Sequence, residues 1–329
     1  MGKHFVTLFL AGLIPTALIA PSARGDEAPA KKIRVLLIDG QNNHDWRSTS
    51  PWLKQILEET GRFTVYVTSN LKPGDKPGNI KNTVPFPPKL FPPNPGDKPR
   101  NIKDKPFPFP PDLRDVSSRY DVVLSNYNGA SWPKEFQTSL EEALGAGKIG
   151  LVIVHAANNA FGNWNEYNLM IGMGWRGPQE GDRLKLDDEG KQVLVPKGKG
   201  DRSGHRYSGE FSVTVRDPEH PITKGMPREW LHTRDELYDN MRGPIKNVHL
   251  LATAYSKGTK AHEPMIWTIS YGKGRVFHTP MGHDLTGMRC NGFIATLQRG
   301  TEWAATDKVT LPIPDNFPTD KKTSSRPAK

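Results

Sequence analysis

Two near-continuous apolar runs, IRVLLID at 33–39 and IGLVIVHA at 149–156, most restrict what this chain can fold into. Neither alternates apolar with polar residues, so each suits a strand buried on both faces. A sheet built from such strands must carry helices on both sides. The sequence after the first run supplies one: Ser50 as N-cap, Pro51 at the first helical position, Leu53, Ile56 and Leu57 on one face, and Gly61 as the stop. FTVYVTS at 63–69 follows as a second strand, and a strand–helix–strand opening implies a right-handed crossover.

The pattern resumes further on. YDVVLSN at 120–126 reads as a strand and 133–144 as a helix with Phe136, Leu140, Ala143 and Leu144 on one face, ended by Gly145 and Gly147. Further strands are expected at 211–216, 248–256, 265–272 and 275–280, and a closing amphipathic helix at 286–305. Residues 174–209, polar and Gly-rich, read as a long loop, and Arg234 to Tyr238 as a solvated turn or helix start. Alternating strands and helices of these lengths predict a doubly wound, mostly parallel α/β sheet in three layers.

Between these halves, PGDKPGNIKNTVPFPP from Pro73 recurs as PGDKPRNIKDKPFPFPP from Pro95. So much proline forbids helix and central strand. Residues 71–113 therefore read as a duplicated, extended surface insertion, with a ligand for a Pro-binding domain as the alternative. Residues 311–329, rich in Pro and Lys, read as a disordered tail.

Residues 1–25 have the layout of a secretory signal: Lys3 and His4, an apolar stretch from Phe5 to Ala20, then Ala23-Arg24-Gly25 before Asp26. Sixteen residues interrupted by Pro15 fall short of the roughly 20 needed to span a bilayer. The expectation is export to the periplasm or beyond, a linker at 26–31, and a single domain over 32–310 with no membrane span. The only Cys of the chain is Cys290, so no intramolecular disulfide can form. Loss of Lys3 and Arg24 with the signal leaves 43 basic residues against 35 acidic ones. The basic residues are scattered and lack the helical stripe or aromatic interleaving of a nucleic-acid surface, so no nucleic-acid partner is expected. A homo-oligomer is compatible with the sequence.

Open α/β sheets bind ligands beyond the carboxyl ends of their strands. Four predicted strands run out into polar residues there: Asn42, Asn43, His44 and Asp45; Asn126, Tyr127 and Asn128; His155, Asn158 and Asn159; His278, His283 and Asp284. Each alone is a turn former or cap; four such ends together point to a site. Asp235 and Glu236 are adjacent carboxylates that could join it. His262-Glu263 precedes a strand and lies at the opposite end unless that strand is antiparallel. The chain has no G-x-S-x-G elbow, phosphate-binding glycine loop, HExxH or CxxC. What remains is a His-, Asn- and carboxylate-rich pocket suited to acid–base work and sugar recognition, with Trp46, Trp132 and Trp164 as candidate stacking surfaces.

A resemblance sharpens this. HDW at 44–46, NYNGASWPK at 126–134, VHAANNAF with Trp164 and Tyr167, RDPEHPITKGMP with Trp230, DELYD, HEPMIWT, YGKGRVFHTPMGHD, and MRCNGF leading into LQRGTEWAAT together resemble the ThuA-like (trehalose utilisation) family, over roughly residues 32–310. The resemblance implies a flavodoxin-like fold similar to class I glutamine amidotransferases. In that larger group a nucleophilic Cys follows a central strand; here VHAANN offers His155 and Ala156, which implies no glutaminase activity. FHTPMGH resembles the strand end carrying the group's catalytic His, making His278 and His283 the carry-overs.

The family is linked to catabolism of trehalose-type disaccharides through sugars oxidised at carbon 3. The implied function is acid–base isomerisation, lyase or hydrolytic chemistry on glycosides or 3-keto-glycosides. Glu236 and His155 are expected as acid and base; His44, His278 and His283 as positioning groups or a second proton carrier; Asn126, Asn128, Trp132, Asn158, Asn159 and Asp235 as sugar contacts. A second reading adds a divalent metal such as zinc, drawn from His44, Glu236, His278 and His283. A third is a non-catalytic carbohydrate-binding protein.

Overall fold

The two apolar runs become inner strands of a mixed sheet, one strand apart, in the computed structural model, which describes residues 1–2, 31–70 and 114–327. The body of the expected signal and linker, residues 3–30, and the Pro-rich repeat at 71–113 lie outside the described residues.

Strands β1 (Ile33–Gly40), β2 (Phe63–Asn70), β3 (Val122–Ser125), β4 (Gly150–Val154) and β12 (Gly274–Thr279) pair in parallel in the order β2-β1-β3-β4-β12. This is the flavodoxin-like order, with its switch point between β1 and β3. Helices α1 (Trp46–Glu58) and α6 (Asn291–Thr306) cover one face; α3 (Lys134–Gly145) and α4 (Asn165–Ile171) cover the other. The period-2 rule decides which side chain goes where. Val35 and Leu37 join a core with Leu53, Ile56, Phe293 and Leu297. Leu36 and Ile38 join a second with Phe136, Leu140 and Tyr167.

Beyond β12 the sheet turns antiparallel through β11 (Ala261–Tyr271), β10 (Val248–Ser256), β7 (Gly204–Val215) and β8 (Glu229–Asp239). Short strands β5 (Asp182–Leu186), β6 (Gln192–Val195) and β9 (Arg242–Gly243) branch off β11. The stretch expected as a long loop thus holds β5, β6 and the start of β7. The expected turn at 234–238 is the middle of β8. Charged residues hid the strand because its alternation is broken where the β7–β8 register shifts, opposite Gly204–Tyr207 and Gly209–Phe211.

Three boundaries also move. Asp45, whose side chain accepts from Ser48 N at 3.3 Å, starts α1 ahead of Ser50. The closing helix is two helices, α5 (Leu285–Met288) and α6, with Cys290 as the N-cap residue of α6. The tail expected to be disordered is docked through residue 326. Thr319 O accepts from Leu231 N at 2.8 Å, Ser324 O from Asn291 N at 2.8 Å, and Phe317 lies 5.4 Å from the Trp230 ring. Composition alone misjudged it because one aromatic and a few backbone bonds suffice to hold it.

Candidate active site and metal centre

Backbone turns at the ends of β1, β4 and β12 bring three imidazoles together. The ring centroids of His44 and His155 are 4.8 Å apart, His44 and His283 4.9 Å, and His155 and His283 5.5 Å. His155 adopts a positive φ of 46° at the first residue after β4, a left-handed conformation rare for a side-chain-bearing residue. The kink turns its imidazole toward His44 and His283 over the strand ends.

The fourth and fifth groups come from the opposite edge of the sheet order. The bent β7–β8 hairpin carries Glu236 and His205 over the parallel strand ends. Glu236 Oε1 lies 3.4 Å from His283 Nε2 and 3.5 Å from His205 Nε2, and Oε2 lies 3.7 Å from His155 Nε2. Side-chain exposure rises from 3% at His155 through 16% at Glu236 to 35% at His283 and 44% at His205, which fixes the open side of the site.

Hydrogen bonds set two tautomers. His155 Nδ1 lies 2.7 Å from Pro280 O, which can only accept, so Nδ1 carries the proton and Nε2 keeps its lone pair. Asn42 Oδ1 accepts from His44 N at 2.9 Å, and its Nδ2 donates to Asn126 O at 3.2 Å. That oxygen therefore also accepts from His44 Nδ1 at 3.2 Å, leaving His44 Nε2 a lone pair. Burial disfavours the imidazolium at both positions, lowering His155 to about 3 and His44 to about 4, the latter helped by the facing His283 and His205. Burial raises Glu236 against the pull of His283 and His205, with Asp235 and Asp284 adding to it.

His44, His155 and Glu236 offer ligand atoms that all lie within 4.8 Å of one another, so this group could hold a metal ion. Two neutral imidazoles, each donating Nδ1–H to a fixed oxygen, plus a carboxylate form a donor set suited to zinc or a similar divalent cation. Tyr238 OH, 3.0 Å from His155 Nε2, and Trp175, 4.6 Å from the Tyr238 ring and 5.7 Å from the His205 ring, form the wall beside it.

The other expected site residues are placed differently. His278 is wholly buried: its Nδ1 lies 3.0 Å from Ile171 O, its Nε2 3.2 Å from Asn158 Nδ2, and its ring 3.9 Å from that of Trp267. It packs between layers and is no part of the metal-ligand group, while His155 and His205 join the cluster in its stead. Asn158 turns its Nδ2 to His278 and the Met241 sulfur, with its buried Oδ1 unpartnered, and Asn159 sits beside the Tyr238 phenol. Asn126 donates to Thr49 Oγ1 and Ser50 Oγ at 3.1 and 3.0 Å, tying the switch point to α1. Asn128 Oδ1 accepts from Asn43 N at 3.2 Å. Asp235 is buried beneath the site. Trp132, Trp46 and Trp164 are all buried; Trp132 stacks among Phe136, Phe161 and Tyr167. Strand β11 is antiparallel, yet His262 meets Tyr255 edge-to-face and Glu263 is buried against Arg183. A cavity of about 350 Å³ lined by Asn165, Asn168, Arg176 and Glu180 shares no residue with the histidine cluster.

Sequence reasoning missed His205, Tyr238 and Trp175. A signal for His205 existed: counting back by two from Val215, Val213 and Phe211 reaches Tyr207 and His205. Trp175, set in an irregular stretch, gave none.

A parallel α/β core extended by an antiparallel wing, with a His–Glu centre over the strand ends, defines the class. Within it the chain belongs to the ThuA family: that family's sequence pattern, described as trehalose utilisation, matches residues 113–304. A solved ThuA-like protein from Parabacteroides merdae ATCC 43184 is 36% identical, covering 90% of this chain and 98% of its own, with a TM-score of 0.73. Another, from Bacteroides uniformis ATCC 8492, is 14% identical over 87% of this chain and 98% of its own, with a TM-score of 0.51, a likeness of fold alone. No curated protein matches the chain. Among the described residues, no helix is long and apolar enough to cross a membrane.

Proposed function

We propose that this ThuA-family chain is an exported enzyme that acts on glycosides or 3-keto-glycosides of the trehalose type by metal-assisted proton transfer. The observation that carries the reading is Glu236, a half-buried carboxylate with imidazole nitrogens of His155, His205 and His283 at 3.4 to 3.7 Å. So many ionisable groups gathered in one cleft mark a chemically active site rather than a plain sugar-binding surface. His44, His155 and Glu236 would hold the cation. When bound, it would polarise a carbonyl or hydroxyl oxygen of the sugar.

The chain's own residues do the rest. A 3-keto sugar has an acidified C–H next to its carbonyl, and His283, partly exposed and with Nε2 3.4 Å from Glu236 Oε1, is the imidazole that would take that proton. The proton taken at Nε2 is then returned to the former carbonyl carbon while the hydroxyl proton of the deprotonated carbon passes to the former carbonyl oxygen, giving isomerisation. Alternatively it goes to the glycosidic oxygen as its bond to carbon 1 breaks and a carbon 1–carbon 2 double bond forms, giving elimination. Trp175, beside Tyr238, supplies an apolar ring face of the kind pyranoses stack on. The layout of residues 1–25 supports export.

The test incubates the purified protein, with and without added zinc, with trehalose, maltose and their 3-keto derivatives in deuterated water. NMR and mass follow the products, with His155→Ala alongside. Turnover or deuterium uptake by wild type alone supports the reading. Uptake of sugar without any reaction, in wild type and variant alike, moves the protein to a carbohydrate-binding role. Cell fractionation, with the amino-terminal sequence of the exported form, tests the signal.

A further inference from the structure

Asp235 neighbours Glu236 in sequence but faces away from the open site. Its side chain is fully buried and accepts four hydrogen bonds: from His232 Nε2 at 2.8 Å, Gly282 N at 2.7 Å, His283 N at 3.0 Å and Glu236 N at 2.8 Å. Two of those donors are the backbone amides of His283 and Glu236, the residues that meet in the site. Gly282 aims its amide from a φ of 99°, where a side chain would be strained. A Cβ on Gly287 of α5 would come 2.6 Å from Asp235 Oδ2, so the packing around the carboxylate is tight on that side as well.

Behind Asp235 the constellation continues. His232 is fully buried, and its Nδ1 has no nitrogen or oxygen partner; it faces the Cys290 sulfur. Cys290, wholly buried at the N-cap of α6, lies among the backbone of Thr233 and Phe293. Thiol, imidazole and carboxylate stand in the order of a cysteine hydrolase. The sulfur is sealed in the core, so no substrate reaches it and a nucleophilic role is excluded.

We propose that Cys290, His232 and Asp235 form a positioning relay that joins the N-terminus of α6 to the floor of the site. Asp235 clamps the backbone on both sides of the Glu236–His283 contact, β8 on one side and the turn after β12 on the other. His232, with Cys290 packed behind it, keeps that carboxylate pointed at both. The relay explains how a carboxylate from the antiparallel hairpin is registered to ångström precision on a histidine from the parallel core. The inference rests on the reading of Glu236 as a metal ligand beside a proton-carrying His283.

The full-length protein is titrated with zinc against a chromophoric chelator, using Asp235→Asn, His232→Leu, His232→Gln and, as a control, the core variant Leu297→Ala. Supporting residues around metal ligands typically contribute about 10–100-fold to affinity. A loss of that size is expected for Asp235→Asn and His232→Leu. His232→Gln, which keeps an N–H for Asp235, recovers most of it, and Leu297→Ala loses stability with affinity unchanged. Should Asp235→Asn not fold, the two His232 variants carry the comparison. Amide hydrogen exchange in metal-free protein is the second arm: Gly282 and His283 exchange slowly in wild type and at least about 10-fold faster in His232→Leu than in His232→Gln. Zinc affinity unchanged in both Asp235→Asn and His232→Leu overturns the relay, as does an equal loss in Leu297→Ala. A wild type that binds no zinc removes the metal reading, and the exchange arm then decides the relay by itself.

Discussion

The parallel half of the sheet and its antiparallel wing contribute to the site in different ways. The parallel half supplies histidines from turns directly after strands, His44, His155 and His283, each fixed by the strand that precedes it. The wing supplies Glu236 and His205 from the open end of a long hairpin whose register is twice interrupted. Histidines on short turns have their positions dictated by local geometry. A carboxylate on a long, bent hairpin depends on tertiary contacts, which is why Asp235 needs four donors to hold β8 in place. The parallel half therefore presents a preformed partial site, and docking of the wing completes it.

The largest effect that would test this division is loss of Glu236. Glu236→Ala removes the wing's only ligand in the candidate metal group and should weaken zinc binding by about 100-fold or more, with melting temperature nearly unchanged because the side chain is partly exposed. Zinc affinity within a few-fold of wild type would show that the histidines of the parallel half suffice. The complementary test is His278→Ala. This histidine belongs to the parallel half but packs against Trp267, Ile171 and Asn158. Its removal should cost about 2–4 kcal/mol in denaturant unfolding, through a cavity and an orphaned Asn158 amide, and leave zinc affinity alone. The opposite pattern, weak binding in a stable protein, would return His278 to the site.

The same division explains what could be read from the sequence. Strands β1, β3, β4 and β12 announce themselves as apolar runs because both faces are buried, and the crevice rule then places His44, His155 and His283 at one edge. The wing is written in mixed residues. In β8, EWLHTRDELYD buries Trp230, His232, Asp235 and Leu237, and the change of phase between His232 and Asp235 falls in the stretch opposite the irregularity in β7. A broken alternation with charges inside reads as a turn. Trp132 was misplaced for a related reason: an aromatic next to a site motif looks like a binding surface until its burial among Phe136, Phe161 and Tyr167 is seen. His278 and His283 could not be separated by spacing, since the difference is whether the chain is still in the strand or already past it.

A smaller effect probes how rigid the parallel half is. Asp39, near the end of β1, is wholly buried; burial raises its carboxyl from 3.8 to about 7, only partly offset by Ser69, Ser50 and Arg47. Between pH 4 and 7 the folded protein therefore binds a proton that the unfolded chain has released. Stability must fall as pH rises through that window, by on the order of 1 kcal/mol per pH unit at most. Asp39→Asn removes the dependence, so its advantage over wild type should be small at pH 4.5 and grow to roughly 3 kcal/mol at pH 8. Melting curves at the two pH values decide it. An advantage that does not grow with pH means the carboxylate is ionised and satisfied in the fold.

The smallest expected effect lies at the foot of the wing. Phe317 covers Trp230 from the docked tail, and Thr319 O receives Leu231 N at 2.8 Å, so the tail braces the first part of β8 several residues before Glu236. Phe317 is only partly buried, and Phe317→Ala should lower stability by about 1–2 kcal/mol. If the wing docks as a rigid unit, that loss appears in unfolding alone, with zinc affinity and turnover intact, because Asp235 holds the site end of β8 independently. If zinc affinity falls along with stability, the hairpin transmits strain along its length. The tail would then count among the elements that set the position of Glu236.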